Sequence, residues 1–272
     1  MKMQNQQLRQ PHPSEVQALQ QLFQNGLLAQ AEVRAQTMLA NYPNSLALYN
    51  ILGLCQQAQG KYREAVASFR KMLSIDPRIA ELHFNLGVLH SQLDETDEAI
   101  ASYRKALQLK PTFTVAHFNL ATMLQAQGLL QEAAQHYQKA IDIEPGFFEA
   151  LGNLGTIRQQ RGQLEQAEHC YRKALALRPD ARGHFNLGTT FYDQGKHEDA
   201  VLAFREAVVS PTSHEPRAVA AELNPFDRES MPERPKELSA GRGVPHFNNC
   251  PTPGCGSISG RVKHGGADGF VV

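Results

Sequence analysis

The sequence predicts an all-α protein, a right-handed α-solenoid of about six helix-turn-helix repeats followed by a largely disordered tail. Three observations predict it. Prolines stand at Pro43, Pro77, Pro111, Pro145 and Pro179, each 34 residues after the last. A small residue returns at Ala31, Ala65, Ala99, Ala133, Ala167 and Ala200, and an aromatic follows at Phe69, Tyr103, Tyr137, Tyr171 and Phe204. Beyond Val209 the pattern stops, and eight of the chain's 15 prolines and eight of its 20 glycines crowd into residues 210–272. Helix breakers in strict register at this period are the signature of stacked helix pairs. A polar, Pro/Gly-rich segment with no apolar period cannot bury enough surface to fold by itself.

The elements follow in order. Residues 1–12 read as a flexible amino-terminal segment. Repeats are expected at about 12–45, 46–79, 80–113, 114–147, 148–180 and 181–213, giving a solenoid over 13–209 and a tail over 210–272. The first repeat matches poorly, with Leu19 where Gly53, Gly87, Gly155 and Gly188 stand and Ala35 at the aromatic position. A weak terminal unit is what a cap requires. The fourth repeat shows the local logic. Helix A is expected over roughly Thr114–Gln127 and helix B over Leu130–Ile143, each with apolar residues at helical spacing. Gly128 supplies the left-handed residue between them, and Pro145 ends helix B. Ala121 and Ala133 are small where the two backbones must approach. One residue is missing before the last repeat, since Gly155 and Gly188 lie 33 apart.

Composition excludes several function classes. Lys plus Arg equals Asp plus Glu at 27 each, and neither the repeats nor the tail carries a basic stripe, so no nucleic-acid partner is expected. The amino terminus lacks a signal-peptide core, and no apolar run reaches membrane-spanning length. A cytoplasmic protein without a membrane partner is expected. Cys55, Cys170, Cys250 and Cys255 are too scattered for a disulfide framework. The tail places His246, Cys250, Cys255 and His264 close together, but without the knuckle spacing of a zinc site, and no metal or cofactor is assigned. No nucleophile–base pair, phosphate loop or paired carboxylate emerges, so no catalytic residue is expected. The acidic run Asp94, Glu95, Asp97 and Glu98 reads as a solvated turn.

Leu-Gly at 52–53, 86–87, 154–155 and 187–188, followed by the Ala, aromatic and Pro positions, resembles the tetratricopeptide repeat family. The early helix-A Trp of that family is replaced by Tyr49, His83, His117, Leu151 and His184, and the rings of the three histidines are expected to pack where the larger aromatic would sit. The resemblance implies a helix A lining an inner groove, with positions near the second, fifth, sixth, ninth and twelfth facing it. The two-carboxylate clamp of chaperone-binding members, which needs Lys on helix A, has no counterpart in Asn50, Phe84, Phe118, Gly152 and Phe185.

Asn85, Asn119, Asn153 and Asn186 hold the sixth helix-A position in four consecutive repeats. Asparagine is a mediocre helix former, and two explanations stand. In one the amide bonds across adjacent helices. In the other the four form a ladder that binds an extended peptide, since each amide offers a donor and an acceptor. Copies about 10 Å apart would meet every third residue of an extended chain. Phe84, Phe118 and Phe185 would lie between the rungs, with Thr122, Thr156 and Thr189 one turn on. The run Ala-His-Phe-Asn-Leu-Ala at 116–121 is similar to the repeat arm of O-linked N-acetylglucosamine transferases.

The expected function is a non-catalytic scaffold for protein or peptide ligands. The alternative is a truncated substrate-recognition arm of a repeat-containing glycosyltransferase or sulfotransferase. Val201, Phe204, Val208 and Val209 leave an apolar face at the end of the sixth repeat, from which weak self-association is expected.

Overall fold

A computed structural model describes residues 10–210, which form twelve α-helices and no strand among the described residues. They divide into two compact units, one running to Met123 and one starting at Leu124. The first holds α1 (Pro13–Gln24), α2 (Leu28–Leu39), α3 (Leu46–Ala58), α4 (Tyr62–Ile75), α5 (Ala80–Gln92), α6 (Thr96–Leu109) and most of α7 (Thr114–Ala126). The second holds the end of α7, then α8 (Leu130–Ile143), α9 (Phe148–Gln160), α10 (Leu164–Leu177), α11 (Ala181–Asp193) and α12 (His197–Val209). Odd-numbered helices are the A members of the pairs and even-numbered ones the B members. The all-α helical-repeat class is thus the one the sequence predicted. The tail, with Cys250 and Cys255, lies outside the described residues.

Within each pair the turn requires one left-handed residue. Gly26, Gly60, Gly128, Gly162 and Gly195 supply it with φ between +70° and +77°, and in the α5–α6 turn Asp94 takes the same place at φ +58°. The acidic residues around it are not all solvated. Glu95 Oε2 lies 2.6 Å from Nδ1 of His90, a ring only 4% exposed.

The crossing of A and B helices explains the glycine–aromatic pairing. A Cβ added at Gly87 would lie 2.6 Å from the Tyr103 ring, and one at Gly155 would lie 2.8 Å from the Tyr171 ring. Both rings are almost wholly buried. The glycine is the hole and the aromatic is the knob, and close packing tolerates neither a larger hole nor a larger knob. The first pair reaches the same packing by exchange. Leu19 occupies the glycine position and Ala35 the aromatic one, and both are fully buried in one core cluster with Leu48, Ile51 and Cys55. The knob has moved to the other helix.

Successive pairs are joined by apolar clusters and by polar links. In the first unit Val66, Phe69 and Met72 of α4 bury against Leu82, Leu86 and Leu89 of α5. In the second, Ala167 and Tyr171 of α10 pack with Leu187 and Phe191 of α11 and Ala200 and Ala203 of α12. Glu32 of α2 accepts hydrogen bonds from Gln59 at 2.9 Å and Lys61 at 2.7 Å. Burial opposes the charge on that carboxyl, but these bonds outweigh it and hold Glu32 below the usual carboxylate range. Glu168 repeats the device with Lys196 at 3.0 Å. The histidines do more than fill space. The Nε2 of His117, a ring 5% exposed, lies 2.9 Å from the Pro111 carbonyl, and that of His83 lies 3.2 Å from the Pro77 carbonyl. Each ties its helix to the connector preceding it.

Candidate functional site

The sixth position of each A helix is set by the crossing just described. The seventh position buries Leu86, Leu120, Leu154 and Leu187, so the sixth sits at the edge of the core rather than in it. The four asparagines nevertheless occupy different environments.

In the first unit, Asn85 on α5 is partly exposed, and Asn119 on α7 points its Nδ2 at the Tyr103 hydroxyl, 3.5 Å away. Burial pushes the Tyr103 hydroxyl well above the ordinary tyrosine range, with the Asn119 contact opposing. It therefore stays a neutral phenol. Phe84 beside Asn85 is half-buried, its ring 4.9 Å from Phe113 and 5.8 Å from Tyr103. Lys110 caps this cluster, with Nζ 4.8 Å from the Phe113 centroid and 2.8 Å from Glu81. Phe118 is likewise half-buried, and the Thr122 hydroxyl donates to the Phe118 carbonyl at 3.0 Å. Asn50, the fifth residue of α3, buries its Oδ1 with no hydrogen-bond partner. It adjoins the same row of positions, and its α3 neighbour at the sixth position, Ile51, offers no amide.

In the second unit, Asn153 on α9 is only 3% exposed, and its Nδ2 donates to the Tyr137 hydroxyl at 3.0 Å. That hydroxyl in turn donates to Oε1 of Gln125 at 3.0 Å. The relay uses the donor side of the Asn153 amide. Thr156, 7% exposed, accepts a hydrogen bond from the Tyr171 hydroxyl at 3.1 Å and donates to the Gly152 carbonyl. Around α11 the surface opens. Phe185 is 51% exposed, Tyr192 is exposed, and Asn186 lies partly exposed between them. Thr189 donates to the Asn186 carbonyl at 2.9 Å and accepts from Gln159 at 3.2 Å. Gln159 also reaches Asp193 at 3.2 Å.

The amide positions therefore separate into two kinds. Asn119 and Asn153 donate to a tyrosine sixteen residues earlier in the chain. Asn85 has Phe69 at that offset, and Asn186, after the missing residue, has Tyr171 at the matching place of α10, its hydroxyl given to Thr156 instead. Two concavities in the first unit, of about 600 and 400 Å³, touch none of these residues. One lies on α2 around Val33, and the other is bordered by Arg63, Arg70, His90 and Glu95. Among the described residues no group of three His, Cys, Asp or Glu is placed to hold a metal. Cys55 and Cys170 are free and buried, and burial pushes the Cys55 thiol up to about 11. No helix among them is long and apolar enough to cross a membrane.

Tetratricopeptide repeat models match residues 80–113, 114–147, 136–169 and 153–216, and a further TPR repeat model matches 57–94. Together they span 57–216, which is 160 of the 272 residues. No curated protein matches the sequence significantly. Solved structures share the fold at low identity. MamA from Desulfovibrio magneticus RS-1 is 20% identical over 60% of this chain and 93% of its own, with a TM-score of 0.57. YrrB, described as a TPR protein with an unusual peptide-binding site, is 20% identical over 68% of this chain and 92% of its own, at 0.56. The C-terminal part of a TPR repeat-containing protein from Cytophaga hutchinsonii is 18% identical over 71% and 78%, at 0.64.

Proposed function

We propose that the chain, which belongs to the tetratricopeptide repeat family, is a non-catalytic scaffold that binds extended segments of partner proteins along its A helices. The observation that carries this reading is the Phe-Asn pair at the fifth and sixth positions of α5, α7 and α11, with Phe185 leaving about half its surface uncovered. An exposed aromatic beside a helix-borne amide suits a peptide. The amide meets the ligand backbone and the aromatic receives a ligand side chain, a division that separates affinity from selectivity. The fold is shared with YrrB, itself described as having a peptide-binding site, which supports the same class of ligand.

The rungs differ in what they offer. Asn85 and Asn186 keep both donor and acceptor for a ligand peptide group. Asn119, its NH2 turned to tyrosine, offers a carbonyl that takes a ligand N–H, and Asn153, buried behind it in the row, braces the track. Phe84, Phe118, Thr122, Thr156 and Thr189 shape the track, with Thr156 acting from beneath it.

The test uses the full chain and a random dodecapeptide display library, followed by titration of selected peptides. Phe185→Ala is expected to weaken binding by roughly 10- to 100-fold, from the apolar burial lost. Asn186→Ala is expected to weaken it by roughly 2- to 12-fold, the worth of one neutral hydrogen bond. Failure to select any peptide, or affinities indifferent to both substitutions, would count against the reading.

A further inference from the structure

We propose that the cavity between α4, α6 and the last turn of α5 binds a zwitterionic small molecule, an α-amino acid with an apolar side chain. The cavity holds about 400 Å³ and is lined by Arg63, Val66 and Arg70 of α4, by His90 and Leu93 at the end of α5, and by Glu95 and Glu98 at the start of α6. It lies within the first unit and shares no residue with the row of amides and aromatics on the A helices. A ligand there is therefore separate from a peptide on that row.

One lining residue sets this place apart from its counterparts in the other repeats. His90 stands where the other A helices carry Gln56, Leu124, Arg158 and Phe191. Leu124 and Phe191 are buried apolar side chains. Gln56 has both ends of its amide engaged, its Nε2 donating to Glu32 at 3.4 Å and its Oε1 accepting from Ser68 at 2.7 Å. Arg158 gives one guanidinium nitrogen to the Cys170 sulfur at 3.1 Å and the other to Gln138 at 3.2 Å. His90 is 4% exposed, with Nδ1 2.6 Å from Glu95 Oε2, and its Nε2 has no partner among the described residues. Polar atoms of buried side chains are almost always bonded, and this ring borders a cavity instead of a partner. The Glu95 carboxylate only accepts, so Nδ1 carries the proton and Nε2 of the neutral ring is an acceptor.

The walls add charge of both signs. Arg63 and Arg70 stand about one turn either side of Val66, and no other B helix carries arginine at both places. Neither arginine forms an ion pair among the described residues, nor does Glu98, and all three side chains are exposed. Donors on one wall and acceptors on the other match a ligand that carries a carboxylate and an ammonium together. The carboxylate falls to Arg63 and Arg70, since guanidinium groups hold carboxylates in forked pairs. The ammonium falls to His90 Nε2 and the Glu98 carboxylate. Val66, 7% exposed, and the partly buried Leu93 leave apolar ground for the ligand side chain. A simple anion would meet the two glutamates and a simple cation the two arginines, so either binds less well than the zwitterion.

The test is calorimetric titration of the full chain with L-leucine, L-methionine and L-phenylalanine. The N-acetyl and amide derivatives of each, which lack one charge or the other, are titrated beside them, as is inorganic phosphate. At least one free amino acid is expected to give a saturable isotherm, and its two derivatives are expected to bind at least about tenfold more weakly. Arg63→Gln, Arg70→Gln and Glu98→Gln, at exposed side chains, are each expected to weaken binding by about tenfold with helicity unchanged. With ¹⁵N-labelled histidine, the ligand is expected to move the Nε2 resonance of one ring, and that resonance is expected to be missing in His90→Gln. No saturable binding by any of the three amino acids would overturn the proposal. So would derivatives that bind as well as the parent, or phosphate binding alone. Binding indifferent to all three exposed substitutions, with no histidine resonance moved, would overturn the assignment to this cavity.

Discussion

Asn85 and Asn153 hold the same position of the same repeat, two repeats apart, and do different work. Asn153 is almost fully buried and gives its NH2 to the Tyr137 hydroxyl, which passes a hydrogen bond on to Gln125. Asn85 is partly exposed, and at the equivalent place behind it stands Phe69, which has no hydroxyl to offer. A repeated residue is therefore not a repeated function. Tyr103 and Tyr137 make Asn119 and Asn153 links between neighbouring helix pairs, whereas Tyr171, at the same place before Asn186, gives its hydroxyl to Thr156.

The largest effect should come from cutting the relay at its middle. Tyr137→Phe strands the Asn153 NH2 and the Gln125 carbonyl in buried surroundings, and each stranded group costs about 1–3 kcal/mol before relaxation. Urea unfolding is expected to show a loss of about 2–3 kcal/mol. Asn153→Ala should cost less, about 1–2 kcal/mol, because the Tyr137 hydroxyl keeps its bond to Gln125. A stability equal to the parent's in either variant would show that the two rungs do not differ structurally.

Asn119→Ala tests the intermediate case. Its contact with Tyr103 is 3.5 Å, at the outer limit for a hydrogen bond, and the residue is partly exposed. The same unfolding experiment should find a loss of no more than about 0.5 kcal/mol. Asn85→Ala is the smallest effect and should have the opposite sign, because alanine is the better helix former and no bond is lost. With a selected peptide in hand the order is expected to invert, Asn85→Ala weakening binding where Asn153→Ala chiefly weakens the fold. Phe69→Tyr sharpens the contrast further. The added hydroxyl should draw the Asn85 amide inward, raising stability and lowering peptide affinity together.

What the sequence by itself determined is whatever depends on period and local backbone chemistry. The proline spacing, the Ala and aromatic registers and the left-handed glycine at Gly128 specify helix pairs, because helix breaking, turn formation and amphipathic burial are local consequences of residue type. The asparagine register and its two explanations were legible too, and the Tyr103–Asn119 and Tyr137–Asn153 offsets were there to be read. Only the tertiary structure decided between uses of the same residue. The exchange of Leu19 for glycine and Ala35 for an aromatic looks like two mismatches until both are seen filling one core cluster. The tie between His117 and the Pro111 carbonyl needs the connector folded back on its helix. The fate of each amide depends on a hydroxyl that comes within reach only when helices stack. Local propensity fixes where helices begin and end, whereas a hydrogen bond between helices exists only at distances that packing alone brings about.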